Sequence, residues 1–307
     1  MNLSVKIANM TFKNPVTVAS GTFGHAEKYY DLEEVKRLGA IVPKTVTFHP
    51  QVGNPPVRIF ETPSGMINAI GIENPGIDAF IAEKLPAFKK IGVPLIISIL
   101  GHTPEQFVGI IEKLNSAAIG GGIAAVELNL SCPNLKFETL VAQDPQATQA
   151  LVHQIKAICK FPVIAKLSPN VTDIAVIALA AQDGGADAVS LVNTFTAMAV
   201  DVKTQRSRIG NFTGGLSGPA IRPMAVYMVH SVAKAVRVPV IGMGGIMTAD
   251  DALEFLIAGA TMVAVGTANF VNPRAPLEVL EGIEAYMREH KVNDIKEIIG
   301  SLKYDKK

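Results

Sequence analysis

Short Val- and Ile-rich runs alternate with amphipathic, capped stretches along the chain, which predicts an α/β fold. Eight such runs are present, which predicts a (β/α)8 TIM barrel. The runs are almost continuously apolar rather than alternating, as expected for parallel strands covered on both faces. A doubly wound open sheet is the alternative. Its glycine fingerprint belongs after the first strand, and none stands there. Gly120-Gly-Gly-Ile-Ala-Ala fits G-x-G-x-x-A by letter but precedes a strand.

In chain order, residues 3–12 alternate weakly and are expected to form an N-terminal hairpin closing the barrel bottom. Strands are read at residues 15–20, 40–44, 94–99, 123–130, 162–167, 187–192, 238–242 and 262–266. Helix start and stop signals appear in the right order between them. The stretch 103–116 has Thr103 as cap, then Pro104 and the acidic Glu105. The stretch 173–184 opens on Asp173 and ends at a glycine pair. The stretch 248–258 opens on Thr248 with Asp250 and Asp251, and Gly259 follows it. Two connections are long, from 45 to about 93 and from 193 to about 237. Both follow strand C-termini, so inserted loops after strands two and six are expected on the face where barrel enzymes keep their sites. No linker, repeat or composition shift divides the 307 residues, and they are read as one domain spanning 1–307.

Lys plus Arg number 28 and Asp plus Glu 27, for a net charge of +1. That balance argues against a nucleic-acid coat or a polybasic membrane anchor. Hydrophobic residues make up 49% and charged residues 18%, enough for a large core. The two cysteines, Cys132 and Cys159, are too few for a disulfide framework, a four-cysteine zinc site or a four-cysteine iron–sulfur cluster. The six histidines have no metal-ligand spacing, so no metal is expected. The opening residues lack a basic region followed by an apolar one, and the expectation is a cytoplasmic protein. The uncharged stretch 255–271 contains two glycines, two threonines and an asparagine. It reads as a helix end and a buried strand rather than a membrane span.

The chemistry gathers at the predicted strand C-termini: Ser20-Gly21-Thr22, Lys44-Thr45, Ser98, Asn129 through Asn134, Lys166, Asn193-Thr194, Gly242 through Gly245, and Gly266-Thr267. A lone lysine at a strand end is more often a solvated cap, but two at one barrel mouth make anionic ligand groups an equal reading. Glycines after strands seven and eight suit a phosphate site, since backbone N–H groups close on phosphate oxygens there, with a helix start at Thr248 behind them. Such a site fits a mononucleotide-like cofactor or a phosphorylated substrate. Cys132 follows strand four among amides, where a thiol can act as nucleophile or general base. Cys159 reads as an inert cysteine on a helix face, and Arg206 and Arg208 as solvated surface. Asn68, Asn129, Asn134 and Asn193 together offer the donors and acceptors that read a pyrimidine ring, although each alone also suits a turn.

At these residues the chain resembles the dihydroorotate dehydrogenases, from Val18-Ala-Ser-Gly-Thr-Phe-Gly24 to Val265-Gly-Thr267. The motifs are Lys44-Thr45, Asn68-Ala-Ile-Gly71 with Asn74-Pro-Gly76, Glu127-Leu-Asn-Leu-Ser-Cys-Pro-Asn134, Asn193-Thr194 and Gly214-Gly-Leu-Ser-Gly-Pro219. Cys132 in the base position resembles the cytosolic class 1 enzymes. The stretches around Ser20 and Val192-Asn-Thr-Phe-Thr-Ala-Met resemble the NAD-linked class 1B more than the fumarate-using class 1A. The resemblance implies an FMN-containing barrel that oxidises dihydroorotate to orotate in pyrimidine (UMP) synthesis. It implies that Cys132 takes the proton from C5 while C6 gives hydride to FMN. Lys44, Asn68, Ala69, Ile70, Gly71, Ile72, Asn129, Asn193 and Thr194 would hold the substrate. Ser20, Gly21, Lys44, Thr45, Ser98, Asn129, Lys166 and Val192 would line the flavin, and Gly218, Gly244, Gly245, Gly266 and Thr267 its phosphate. Class 1B further implies a partner subunit carrying FAD and a [2Fe–2S] cluster, with a homodimer of this chain at the centre of a heterotetramer. Ser98 stands where many members have Asn, Glu73 where Gln is usual, and Phe137-Glu138-Thr139-Leu140 where the mobile lid has small residues. Competing readings are another FMN barrel acting on a dihydropyrimidine or dihydrouridine, and a flavin-free phosphate-ligand-binding barrel subunit.

Overall fold

The computed structural model describes residues 1–24, 32–117, 121–130 and 141–304. Eight strands form the central sheet: β1 (Val16–Val18), β2 (Val46–Thr47), β3 (Leu95–Leu100), β4 (Ile123–Asn129), β5 (Val163–Lys166), β6 (Ala188–Leu191), β7 (Val240–Met243) and β8 (Met262–Val265). Their order is β1-β8-β7-β6-β5-β4-β3-β2, and every pairing is parallel. The seam between β1 and β2 is spanned by hydrogen bonds from Gly39 N–H to the Val16 carbonyl, from Thr17 Oγ1 to the Ala40 carbonyl and from Ser20 Oγ to the Pro43 carbonyl. Curling the sheet back on itself in this way gives the expected α/β barrel. Its strands are buried along their whole length, which explains the unbroken apolar runs.

Among the described residues a helix follows each strand: α1 (Leu32–Val35), α2 (Leu85–Ile91), α3 (Pro104–Ala117), α4 (Pro145–Ile158), α5 (Ile174–Asp183), α6 (Arg222–Ala235), α7 (Ala249–Ala258) and α8 (Ala275–Glu289). Helix α3 buries Phe107, Ile110, Ile111 and Leu114, the one-face spacing of an amphipathic helix against a core. Asp144, Asp173 and Thr248 cap α4, α5 and α7 through their side chains. At α7 the cap is reciprocal: Thr248 Oγ1 accepts from Asp251 N–H, and the Asp251 carboxylate accepts from Met247 and Thr248 N–H. The N-terminal hairpin pairs Val5–Ile7 with Met10–Phe12. The stretch 255–271 holds the end of α7 and all of β8, and among the described residues no helix is long and apolar enough to cross a membrane.

Two features depart from the sequence reading. Strand two was expected at 40–44, but the regular ladder lies at Val46–Thr47. Residues 40–43 are buried, yet Pro43 has no N–H to donate, so pairing there reduces to one bridge between Ile41 and Leu95. The two long insertions are also more than loops. Ile59–Thr62 and Gly65–Asn68 come from the first, Phe195–Ala197 and Gly214–Ser217 from the second. Together they form one antiparallel four-stranded sheet, joined where Gly65–Asn68 pairs with Gly214–Ser217.

Candidate active site at the barrel mouth

Because all eight strands run in parallel, their C-terminal ends open on one face, and both insertions leave from it. On the β1–β3 side a chain of hydroxyls crosses three strand ends. Ser20 Oγ lies 2.9 Å from Thr45 Oγ1, which lies 3.0 Å from Ser98 Oγ. Thr45 and Ser98 are buried, so each hydroxyl satisfies the next. Lys44 arches over Gly21: a Cβ built on that glycine would lie 3.3 Å from Lys44 Nζ. Gly21 has φ +84°, so a side chain there would be strained as well as crowded.

On β4–β6 three further groups converge. Ser98 is the register partner of Glu127, Asn129 that of Lys166, and Lys166 that of Ser190. Glu127, Lys166 and Ser190 are 3%, 5% and 0% exposed. Ser190 Oγ donates to Glu127 Oε2 at 2.9 Å, and Lys166 Nζ lies 3.7 Å from Glu127 Oε1. That oxygen accepts no hydrogen bond from any described residue. A buried ion pair at this separation balances charge while leaving hydrogen-bonding capacity unspent on both sides.

On the β6–β8 side glycines let three segments approach each other. Gly218, Gly244 and Gly245 have φ of +96°, +125° and +84°. A Cβ on Gly245 would lie 2.9 Å from the Gly218 carbonyl and 2.7 Å from Arg222 Cβ. One on Gly244 would lie 3.2 Å from Val192 Cγ2. Thr267 Oγ1 donates to Ser217 Oγ at 2.8 Å, tying the end of β8 to the inserted sheet. Helix α7 does start behind these turns, as expected, but Asp251 already accepts from the N–H groups at its start. The same carboxylate also pairs with Arg222 of α6. Gly266-Thr267 leads instead into a short helix, Ala268–Val271.

The inserted segments cover the mouth from above. Asn68 Nδ2 donates to the Gly215 carbonyl at 3.2 Å, and a Cβ on Gly215 would meet Thr194 Oγ1 at 1.9 Å, so Asn68 and Thr194 meet over one glycine. Asn170 holds the Thr194 segment through its Nδ2 to the Thr194 carbonyl and its Oδ1 from Thr196 N–H. Asn193 Oδ1 accepts from Thr194 N–H. Ala69 is buried, and Ile70, Gly71 and Ile72 are half-buried beside it. Asn74 pins this loop to β2, its Oδ1 accepting from Thr47 N–H, Thr47 Oγ1 and Gly76 N–H.

A family model described as dihydroorotate dehydrogenase matches residues 2–287. The chain is 51% identical over 304 residues to the dihydroorotate dehydrogenase B (NAD(+)) catalytic subunit of Lachnoclostridium phytofermentans, covering 99% of this chain and 100% of that one. Its identity to the catalytic subunits of the same name from Geotalea uraniireducens and Desulforudis audaxviator is 49% and 51%, over 98% and 97% of this chain and 98% and 96% of theirs. The chain belongs to the dihydroorotate dehydrogenase family. Dihydroorotate dehydrogenases are oxidoreductases, which bears out the resemblance read from the motifs.

In this family member most sequence-named residues stand around one mouth: Ser20, Gly21, Lys44, Thr45, Ser98, Asn129, Lys166, Val192 and the glycines on the barrel, with Asn68 through Ile72 and Thr194 above it. Cys132, Asn134 and 137–140 lie outside the described residues. Cys159 caps the C-terminus of α4, where burial pushes its thiol up from the ordinary value. Glu73 does not face the mouth as a lone charge, because its carboxylate pairs with Arg58. Arg208 pairs with Asp201 at 3.3 Å and packs on Phe60, outside the mouth. Sequence reasoning gave no role to Glu127, Ser190 or Asn170. Charge inside an otherwise apolar strand was the available signal for Glu127. Among the described residues no His, Cys, Asp and Glu cluster could hold a metal ion.

Proposed function

We propose that this chain is the catalytic subunit of a cytoplasmic, NAD-linked dihydroorotate dehydrogenase, oxidising dihydroorotate to orotate in de novo pyrimidine synthesis. The observation that carries the reading is one mouth with a buried cation, Lys166, on one side and a glycine cradle on the other. FMN fits that arrangement. Its phosphate suits the backbone cradle of Gly218, Gly244, Gly245, Gly266 and Thr267, and its ring system suits the polar groups of Ser20, Thr45, Ser98, Asn129 and Lys166 with Gly21 and the apolar Val192 beside them. When bound, FMN supplies the acceptor for the hydride leaving substrate C6.

The remaining chemistry belongs to this chain. Cys132, as thiolate, removes the proton from C5, which is acidified by the neighbouring carbonyl. Lys44 pairs with the substrate carboxylate. Asn68, Asn129, Asn193 and Thr194 bind the ring amides, and the Ala69–Ile72 backbone closes over them and excludes water. Lys166 stabilises negative charge at the mouth in a site that needs no reorganisation. The relatives' name, catalytic subunit, supports a partner. We assign that partner FAD and a [2Fe–2S] cluster leading to NAD, around a homodimer of this chain.

The test is a visible spectrum of the purified chain, followed by anaerobic dihydroorotate. A flavin band that bleaches is expected, and Lys44→Ala should raise KM for dihydroorotate by about tenfold to a hundredfold. A band that bleaches only with an uncharged dihydropyrimidine would move the substrate. Absence of any band after FMN addition would refute the reading. Equal NAD reduction by the chain alone and by the co-expressed complex would refute the partner.

A further inference from the structure

Glu127 has no part in the chemistry above, yet it is an acidic side chain 3% exposed inside the barrel. Isolated buried carboxylates are costly, so a retained one needs a partner. It has two. Ser190 fixes Oε2 at 2.9 Å, and Lys166 Nζ stands 3.7 Å from Oε1. The pair is near enough to compensate charge and too far apart for a short hydrogen bond. Lys166 therefore keeps its donors unspent on this carboxylate in a buried site. Oε1 is one of two buried side-chain oxygens with no hydrogen-bond partner among the described residues, the other being Asn269 Oδ1, and it alone of the two faces a cation, Lys166.

From this geometry we infer that Glu127 is a positioning residue: held by Ser190, it fixes the place of the Lys166 ammonium at the mouth proposed to hold FMN, and so sets how strongly the site prefers reduced over oxidised cofactor. The inference rests on the FMN reading of this mouth. It acts through Lys166, since the two strands that carry the pair are neighbours and Ser190 completes the set from the third.

Removing one member of a buried pair leaves the other charge uncompensated, and a lysine so placed is no longer held in position. Glu127→Gln keeps the side-chain shape and removes the charge. In the FMN-loaded protein it is expected to lower the preference for reduced flavin by about tenfold, a fall of about 30 mV in the two-electron midpoint potential. Lys166→Met should lower the potential at least as far, and Glu127→Gln should add nothing in the Lys166→Met background. Ser190→Ala, a smaller change that only frees the carboxylate to turn, should shift the potential in the same direction by less. An unshifted or raised potential in Glu127→Gln would overturn the inference, as would an equal shift with and without Lys166. A native chain that takes up no FMN would overturn the cofactor reading as well, whereas a Glu127→Gln chain that binds FMN with an unmoved potential overturns this inference alone.

Discussion

Gly245→Ala tests the cradle directly. The added methyl would stand 2.7 Å from Arg222 Cβ, 2.9 Å from Arg222 N and 2.9 Å from the Gly218 carbonyl oxygen. Two of those atoms are backbone, so no rotamer change relieves the crowding. The residue also sits at φ +84°, where a non-glycine residue costs about 1–2 kcal/mol. Overpacking a tight site adds about 1–3 kcal/mol. The total, about 2–5 kcal/mol, divides between folding and closure of the cradle on phosphate; each 1.4 kcal/mol that falls on binding weakens it about tenfold. Urea unfolding of the apo chain measures the first share and FMN titration by flavin fluorescence the second. Gly92→Ala is the control. Its φ is +76°, but nothing lies within 4 Å of the new methyl, so it should show the backbone cost without an effect on FMN. If Gly245→Ala matches native stability within about 0.5 kcal/mol and native FMN affinity, the close approach of Gly218, Arg222 and Gly245 does not build the phosphate site.

Further outcomes follow from other parts of the molecule. Cys132→Ser should slow flavin reduction by dihydroorotate by about 10²–10⁴-fold at neutral pH in stopped-flow, because a hydroxyl is a far weaker base, and unchanged kinetics would remove Cys132 from the reaction. Thr248→Ala should cost about 1 kcal/mol in urea unfolding by breaking the cap of α7, while FMN affinity stays native. Asp294 is held below the ordinary aspartate value by the Lys296 N–H and by Asn2, whose Nδ2 donates at 2.8 Å. A depressed carboxylate stabilises the fold above its unfolded pKa and loses that contribution as pH falls through the folded value. The urea midpoint of Asp294→Asn should thus lie below native at pH 7 and converge with it below about pH 4; a constant gap would show that the charge is not what matters.

The barrel was legible because its strands are buried on both faces, and burial writes itself into sequence as unbroken apolar runs. The hairpin at residues 3–12 and the caps at Asp173 and Thr248 were legible because their signals are local. Strand two slipped because an apolar run records burial, whereas pairing also requires donors, and Pro43 has none. The inserted sheet was hidden because Asn68 and Gly215 are 147 positions apart and each insertion looks like a loop by itself. Residues at strand ends could be named from type and position. Glu127 carried only the signal of a charge within an apolar strand, and Ser190 carried none, since their significance lies in side chains meeting across β4, β5 and β6.

The pairing of Gly65–Asn68 with Gly214–Ser217 also has a bearing on biosynthesis. A nascent chain that has not yet reached Gly214 can make β1 through β6, yet the outer strand pair Ile59–Thr62 and Gly65–Asn68 still presents an unsatisfied edge. Exposed edges recruit other strands, and this one lies above a half-built barrel. The mouth therefore matures late, when the second insertion emerges and seals the first, and released fragments ending just before residue 214 or just after residue 217 should differ in their tendency to aggregate.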